Sequence, residues 1–492
     1  MSPGRVVVIG AGVAGITAAA HLARSGHEVI VLDKNGRPGG RCGRLERGGH
    51  RFDTGPTLMV MPRLYASEFG ALGASLAERL LLRRVDPTYR LVFDDGRQLL
   101  LTADEERMRG QVEAMEPGSF RGLQRYLDEG RRHYDVVVDN LVQRDFRRAR
   151  DFFNLRTLGP MIRTKPLVNH YRHMGRFFET PRLKSAFTFQ DLYTGLSPFA
   201  APATLSMLPY SELTDGVWYP MGGMHSVVEA LVVMAEEAGV EFRLGTAAAR
   251  IDTAGRQVRA VFAEDGTYQR ADVVLANADL PYVYQQLLPP DRAAAGLARK
   301  AYSCSAISFL WALDKRYDLN PHTLFIADDY RENFRQIMRD HDLPTNPSVY
   351  LHAPAAVDEG MAPAGEDSLT AIVPVGHLTG DGAQDWDQMR DRARGHVLRR
   401  LRTIGITDLD EHVKSEDVLT PLSWAQAHNL VKGATHGLAH TLTQMAWFRP
   451  ANRHRRYGNL YFAGASTHPG TGIPIAMVSG RLAAQRIASE QR

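Results

Sequence analysis

Apolar residues along this chain fall into short β-branched stretches bounded by glycine and longer Ala/Leu-rich stretches with helical spacing. Residues 6–9 (Val-Val-Val-Ile) are of the first kind and 16–24 of the second, so the chain opens with a strand feeding a helix. The pattern predicts a second strand over 27–33 and helices over 64–81 and 119–141. A helix over 226–238 leads into a short strand at 240–244. Antiparallel strands are expected over 250–262 and 267–275 around the turn signal Asp265-Gly266. Residues 272–276 end that block as a buried strand running into the polar turn Asn277-Ala278-Asp279. Strands recur at 303–313 and 348–352, in a region of strands and loops reaching about 450. A last strand opening at Gly458, a glycine-rich loop and a helix over 475–489 close the chain.

The first strand–helix junction carries Gly10-x-Gly12-x-x-Gly15, and the second strand ends in Asp33-Lys34. In that context Gly10 permits the tight turn, Gly12 lets the backbone approach a pyrophosphate, and Gly15 allows close helix–strand packing. The phosphates then face unpaired N–H groups at a helix N-terminus. Asp33 is placed to accept from ribose hydroxyls and to repel a 2′-phosphate. Further glycine loops follow at Gly39-Gly40-Arg41 and Gly55-Pro56-Thr57. The closing block Gly464-Ala465-Ser-Thr-His468-Pro469-Gly470-Thr-Gly472-Ile473 is a second glycine loop at a helix start. Two such loops suit the two ends of a long dinucleotide such as FAD.

At 492 residues the chain exceeds what one core normally supports. The expected fold class is α/β, a Rossmann-type FAD-binding domain discontinuous in sequence, beside a mixed α+β substrate domain and a helical, membrane-contacting region. The FAD-binding domain is assigned residues 1–90, 222–285 and 451–492. Residues 91–221 form the helical region and 286–450 the substrate domain. Two cysteines, Cys42 and Cys304, exclude a disulfide framework and a cysteine-based metal site and suit a reducing cytoplasm. No run of eighteen apolar residues occurs, and no signal peptide is expected, because the first apolar run is the cofactor strand itself.

The net charge of +4 is unevenly spread. Residues 144–184 hold eleven Lys/Arg against three acids, interleaved with Phe146, Phe152, Phe153, Leu155 and Ile162, so the remainder of the chain is net acidic. Such a mixture suits an anionic lipid surface, although a solvated helix pair with an ordinary apolar face has the same composition. Nucleic acid, the other standard partner of a basic stretch, is not expected here.

Taken together, Gly10 to Gly15 with Asp33, Gly39-Gly40-Arg41, the Phe52-Asp-Thr-Gly-Pro56 block, Gly216-Val-Trp-Tyr-Pro220, Asn277-Ala-Asp279, Trp447-Phe-Arg-Pro450 and Ala463 to Gly470 resemble the bacterial phytoene desaturase family, within the amine-oxidase-like flavoproteins. The resemblance covers essentially the whole length. It implies a non-covalent FAD whose adenosine ribose meets Asp33, whose diphosphate lies over Gly10 to Gly15 and near Gly39 to Arg41, and whose isoalloxazine end lies by Gly55-Pro56 and 464–473. It also implies an adenine-side backbone contact at Ala249, where the family usually has Val. Many related flavoproteins carry Asp beside the closing glycine; Ala465 replaces it here, as in the carotenoid branch.

The activity so implied is FAD-dependent desaturation of a long acyclic isoprenoid, phytoene before others, with oxygen or a quinone as electron acceptor. The protein would work at the inner, cytoplasmic face of the cell membrane. Removing two hydrogens from a hydrocarbon needs a hydride acceptor, which is the flavin, and a proton acceptor. Family proposals place an arginine and a carboxylate in the segment 150–156. Arg156 matches, while Phe153 occupies the carboxylate position, leaving Asp151 either as a substitute or as a surface acid among arginines. Glu179 and Asp191 are weaker candidates, His468 is expected to orient the cofactor, and Trp218-Tyr219 is a candidate tunnel wall. A dehydrosqualene desaturase, a carotenoid ketolase or another polyene oxidoreductase would share nearly every motif. A prenyl-binding protein without flavin chemistry would not need the complete glycine loops.

Overall fold

The computed structural model describes residues 4–490. The opening strand, Arg5–Ile9, lies at the centre of a five-stranded parallel sheet. Across the sheet the order is Leu460–Phe462, Val273–Ala276, Arg5–Ile9, Glu28–Asp33, Glu241–Leu244. The sheet thus draws on sequence around residues 5–33, 241–276 and 460. Its three inner strands are apolar on both faces because both faces are covered. Val6, Val8, Val29 and Val31 pack under three helices, Val13–Arg24, His225–Glu237 and Ile473–Glu490. Val7, Ile9, Ile30 and Leu32 point the other way, under a small antiparallel meander.

That meander corrects two sequence expectations. Residues 250–262 are not one strand. Gly255, at φ 62°, turns the chain between Ala248–Ala254 and Gln257–Ala263. Residues 267–275 likewise divide into Tyr268–Arg270, which completes the meander, and Val273–Ala276, which leaves it for the parallel sheet.

A second, seven-stranded sheet runs Val413–Leu419, Ser305–Leu313, Asp367–Val375, Val349–His352, His322–Ile326, Tyr89–Phe93, Gln98–Leu101. All neighbours are antiparallel except His322–Ile326 with Tyr89–Phe93. The boundary expected at residue 90 therefore falls inside a strand, and residues 89–101 are the edge of the seven-stranded sheet. The helix Trp386–Arg402 packs on this sheet through Trp386, Met389, Ala393, Val397 and Leu401, in a region expected to hold only strands and loops. Its helical spacing was obscured by six arginines on the other faces. The long helix expected over 64–81 is two pieces, Pro62–Ala71 and Leu76–Arg79, separated where Gly73 adopts φ 79°. Cys42 and Cys304 are buried free thiols.

The first and last helices touch closely enough to require glycine. A Cβ on Gly480 would lie 2.4 Å from the Ala14 carbonyl oxygen and 3.0 Å from the Ala18 nitrogen. Gly480→Val is therefore expected to cost about 1–3 kcal/mol by overpacking, measured as a lowered denaturation midpoint.

Candidate active site

The two glycine loops meet at one side chain. The strand Val273–Ala276 delivers Asn277 between them, and Asn277 Nδ2 donates to the Ala463 carbonyl at 2.9 Å. Asn277 Oδ1 occupies the space into which a Cβ would project from Gly12 (2.6 Å) or Gly15 (2.9 Å). A Cβ on Gly464 would meet Asn277 Nδ2 at 2.9 Å, and Gly464 holds φ 126°. Gly15 would in addition clash with the Gly10 carbonyl at 2.1 Å. All three glycines are needed for packing around one amide as well as for ligand approach.

A single cavity of about 1600 Å³ opens from these loops. Gly10, Gly12, Gly39 and Gly40 line it beside Asp33, Lys34 and Arg41, as do Gly55, Pro56 and Thr57. Gly464, Ala465, Gly472 and Ile473 line it from the closing loop. Two cofactor positions expected from sequence lie elsewhere. Gly15 faces the strand rather than the cavity, and Ala249 is exposed on the meander, whereas Gly245 to Ala248 form the wall there. The strand pairing explains the offset, since Thr246 N donates to the Asp33 carbonyl at 2.7 Å and turns that stretch inward.

The walls suit an adenine dinucleotide. The helix Val13–Arg24 starts at Gly12 without a side-chain cap, so its first amides are available to phosphate. Asp33 is buried and already accepts from Ala11 N (2.7 Å) and Asn35 N (2.8 Å), which leaves a lone pair on each oxygen for a ribose hydroxyl. Burial raises its carboxyl, and those two amides oppose the rise. Lys34 reaches across to the Gln426 carbonyl and Asn429 Oδ1. Arg41 donates to the Thr435 carbonyl at 2.8 Å, with Asp279 as its charge partner. Asp279 in turn is held by Ser466 Oγ (2.7 Å) and Val431 N (3.2 Å).

The closing loop is fixed by Arg449, which is 3% exposed and touches no carboxylate among the described residues. Its guanidinium donates to the carbonyls of Thr467 (3.1 Å), Gln444 (3.0 Å), Leu438 (3.0 Å) and Ala465. Burial pushes it down to about 9, so it stays cationic at neutral pH. His468 lines the cavity and donates from Nε2 to the Arg144 carbonyl at 2.7 Å. His440 accepts from Thr471 N at Nε2 and donates from Nδ1 to the Thr194 carbonyl; burial holds it well below its usual range.

The expected catalytic pair is not brought to this cavity. Asp151 is spent on the backbone, its carboxylate accepting from Arg147 N (3.1 Å) and Arg148 N (2.8 Å) at the start of the helix Ala149–Phe152. Arg156 is exposed on the helix Leu155–Arg163. From that segment only apolar neighbours such as Phe152, Phe153, Leu158 and Met161 line the cavity. Glu179 is exposed, and Asp191 is sealed in a buried pair with His170 at 2.9 Å. Trp218 and Tyr219 lie in the strand Val217–Pro220 outside the cavity. Residues the sequence did not single out, Tyr89, Tyr193 and Tyr350, do line it, and Glu212 stands behind them. Nothing in the local pattern Ser-Glu-Leu-Thr-Asp marks Glu212 as buried.

The family profile described as "Flavin containing amine oxidoreductase" matches residues 13–488. The chain belongs to this family. It is an FAD-dependent oxidoreductase, with the expected carotenoid-desaturase resemblance borne out. It is similar to a phytoene desaturase of Fusarium fujikuroi, 40% identical over 99% of this chain and 89% of that protein. It is also similar to a 4,4'-diapophytoene desaturase (4,4'-diaponeurosporene-forming) of Staphylococcus haemolyticus (strain JCSC1435), 32% identical over 99% of both. A solved putrescine oxidase bound to putrescine shares the fold, with TM-score 0.65 at 15% identity over 99% of both chains.

Replacing Arg449 by Lys, whose ammonium cannot reach four carbonyls at once, should cost roughly 2 kcal/mol or more, since each buried carbonyl left without a donor costs about 1–3 kcal/mol. The expected readout is a lower melting temperature together with loss of FAD on gel filtration.

Proposed function

We propose that this oxidoreductase desaturates a long acyclic isoprenoid, phytoene in the first place, in carotenoid biosynthesis. The observation that carries the reading is the continuity of the cavity. The space that begins at the glycine loops continues between the helical region, through Leu141, Leu158 and Met207, and the seven-stranded sheet, through Leu324, Ile372 and Pro374. A hydrocarbon without polar groups is held there by shape and apolar contact alone. Bound at the Gly55–Thr57 and 464–473 walls, FAD supplies the hydride acceptor. The phytoene desaturase relative supports the C40 substrate. The diapophytoene desaturase relative supports the C30 alternative, dehydrosqualene.

Anaerobic incubation of the FAD-loaded protein with phytoene, and separately with dehydrosqualene, in liposomes should bleach the flavin and yield products absorbing at longer wavelength. If neither polyene bleaches it, the desaturase reading fails. Readmitting oxygen or a quinone then identifies the acceptor, for which both remain part of the proposal.

Substrate entry is proposed to occur from a bilayer, at the cytoplasmic face of the membrane. No helix among the described residues is long and apolar enough to cross one. Phe153, Leu155, Ile162 and Leu167 are 48%, 90%, 71% and 86% exposed, and Phe153 and Leu167 also line the cavity. Exposed Arg147, Arg148, Arg150, Arg156 and Arg163 accompany them. In this reading Arg156 contributes to docking. Each cation near an anionic surface contributes about 1 kcal/mol, so replacing Arg147, Arg148 and Arg150 by Glu should weaken binding to anionic liposomes by about 100-fold or more. Unchanged sedimentation with liposomes would refute the docking role.

A further inference from the structure

Desaturation releases a proton as well as a hydride, and the cavity wall away from the dinucleotide, largely apolar with scattered hydroxyl and amide side chains such as Thr164, Thr204, Ser348 and Asn333, carries a group of phenols. Tyr89, on the strand Tyr89–Phe93, and Tyr193, on the turn Phe189–Thr194, both line it. Their hydroxyls hydrogen-bond to each other. Tyr89 Oη also donates to Glu212 Oε1 at 3.3 Å, and Tyr193 shares the same carboxyl. Glu212 Oε2 accepts from Gln190 Nε2 at 3.0 Å. Glu212 is 2% exposed, and among the described residues the ionisable groups facing it are phenols: Tyr89 and Tyr193, with Tyr126 and Tyr350 farther off.

The other groups on the cavity are poor acceptors for a substrate proton. Asp33 and Asp279 are held by backbone amides and Ser466 at the nucleotide end, where Glu264 and Asp265 also lie. Burial pushes His436 and His428 down to about 4, holds His440 well below its usual range and lowers His468. Tyr350 Oη is bonded to Thr57 Oγ1 and His322 Nδ1, both at 2.7 Å, and burial holds His322 at about 3. An imidazole so depressed is a weak proton sink.

We propose that Tyr89 and Tyr193 take up the proton released by the substrate and pass one on to Glu212, which is the terminal proton acceptor of the desaturation. One carbon loses a hydride to the oxidised flavin, and its neighbour loses a proton to a phenol oxygen. That phenol gives its own proton to the Glu212 carboxylate, and the electrons of the second C–H bond become the new double bond. The phenols are unchanged at the end, and Glu212 leaves the step as a neutral acid that must return its proton to water before the next turnover. Burial without a cation raises Glu212 to about 7, where a carboxyl both accepts and releases protons near neutral pH.

The assignment rests on the desaturase reading, and one experiment separates them. Polyene-driven flavin reduction in the wild type should rise with pH through about 7, as Glu212 ionises. E212Q should be slower by about 100-fold with that rise abolished. Y193F and Y89F should each slow the step while leaving the carboxyl in place. Folding raises this carboxyl above its ordinary 4.5, so its destabilising charge appears as pH rises through about 7. E212Q should therefore melt no lower than the wild type at pH 8 and retain FAD. Independently of turnover, infrared difference spectra of the FAD-loaded protein between pH 6 and 8 should show a protonated-carboxyl band that E212Q lacks. A wild type that polyenes leave oxidised would overturn the desaturase reading. A wild type that is reduced, with E212Q unaffected or the infrared band missing, would overturn the proton-acceptor assignment alone.

Discussion

One amide side chain holds the cofactor half of this protein together. Asn277 ends the strand next to the central one, and its backbone nitrogen donates to the Ile9 carbonyl at 2.7 Å. Its side chain then spans from the first glycine loop to the last, donating to Ala463 while its oxygen fills the space beside Gly12 and Gly15. This half-buried amide fits between the loops only if both present backbone rather than side chains. The absence of Cβ atoms at Gly12, Gly15 and Gly464 is thus one requirement expressed three times, and segments some 450 residues apart are brought into register by it.

Around that junction the charges of the nucleotide half are arranged so that each is compensated locally. Asp33 accepts from two amides, and Asp53, buried between loops, accepts from Met224 N (2.8 Å) and His225 N (3.0 Å) at a helix start. Arg449 inverts the pattern, a cation solvated by carbonyl oxygens. Each device fixes backbone around the glycine loops. The far wall is built differently. Glu212 has neutral phenol and amide partners, whose hydrogen bonds offset only part of the cost of burying its charge, and the group remains ready to change protonation state. The hydride-accepting side and the proton-accepting side are thereby supplied by different layers of the fold, with the substrate cavity between them.

Much of the cofactor half was legible in the sequence because its signals are local. A β-branched run, a glycine spacing and an acid at the next strand end each describe a backbone path within about thirty residues. The limits were also physical. Ala249 was misplaced because strand pairing, not motif spacing, decides which residues of 245–249 turn inward. The Gly73 and Gly255 turns broke elements that hydropathy alone continued. Asp151 and Arg156 lie in a segment rich in charge, and an acid at a helix start is as well satisfied by backbone amides as by any catalytic role.

What the sequence determined by itself was the dinucleotide cofactor, the α/β class and the concentration of cations and aromatics in residues 144–184. Each depends on residue type and short-range spacing. Only the tertiary structure decided that the glycine loops share Asn277, that Phe153 and Leu167 stand at the cavity while Trp218 and Tyr219 do not, and that Glu212 lies behind Tyr89 and Tyr193. Those are contacts between residues up to several hundred positions apart, and the burial that gives them their chemistry exists only once the two sheets have closed around the cavity.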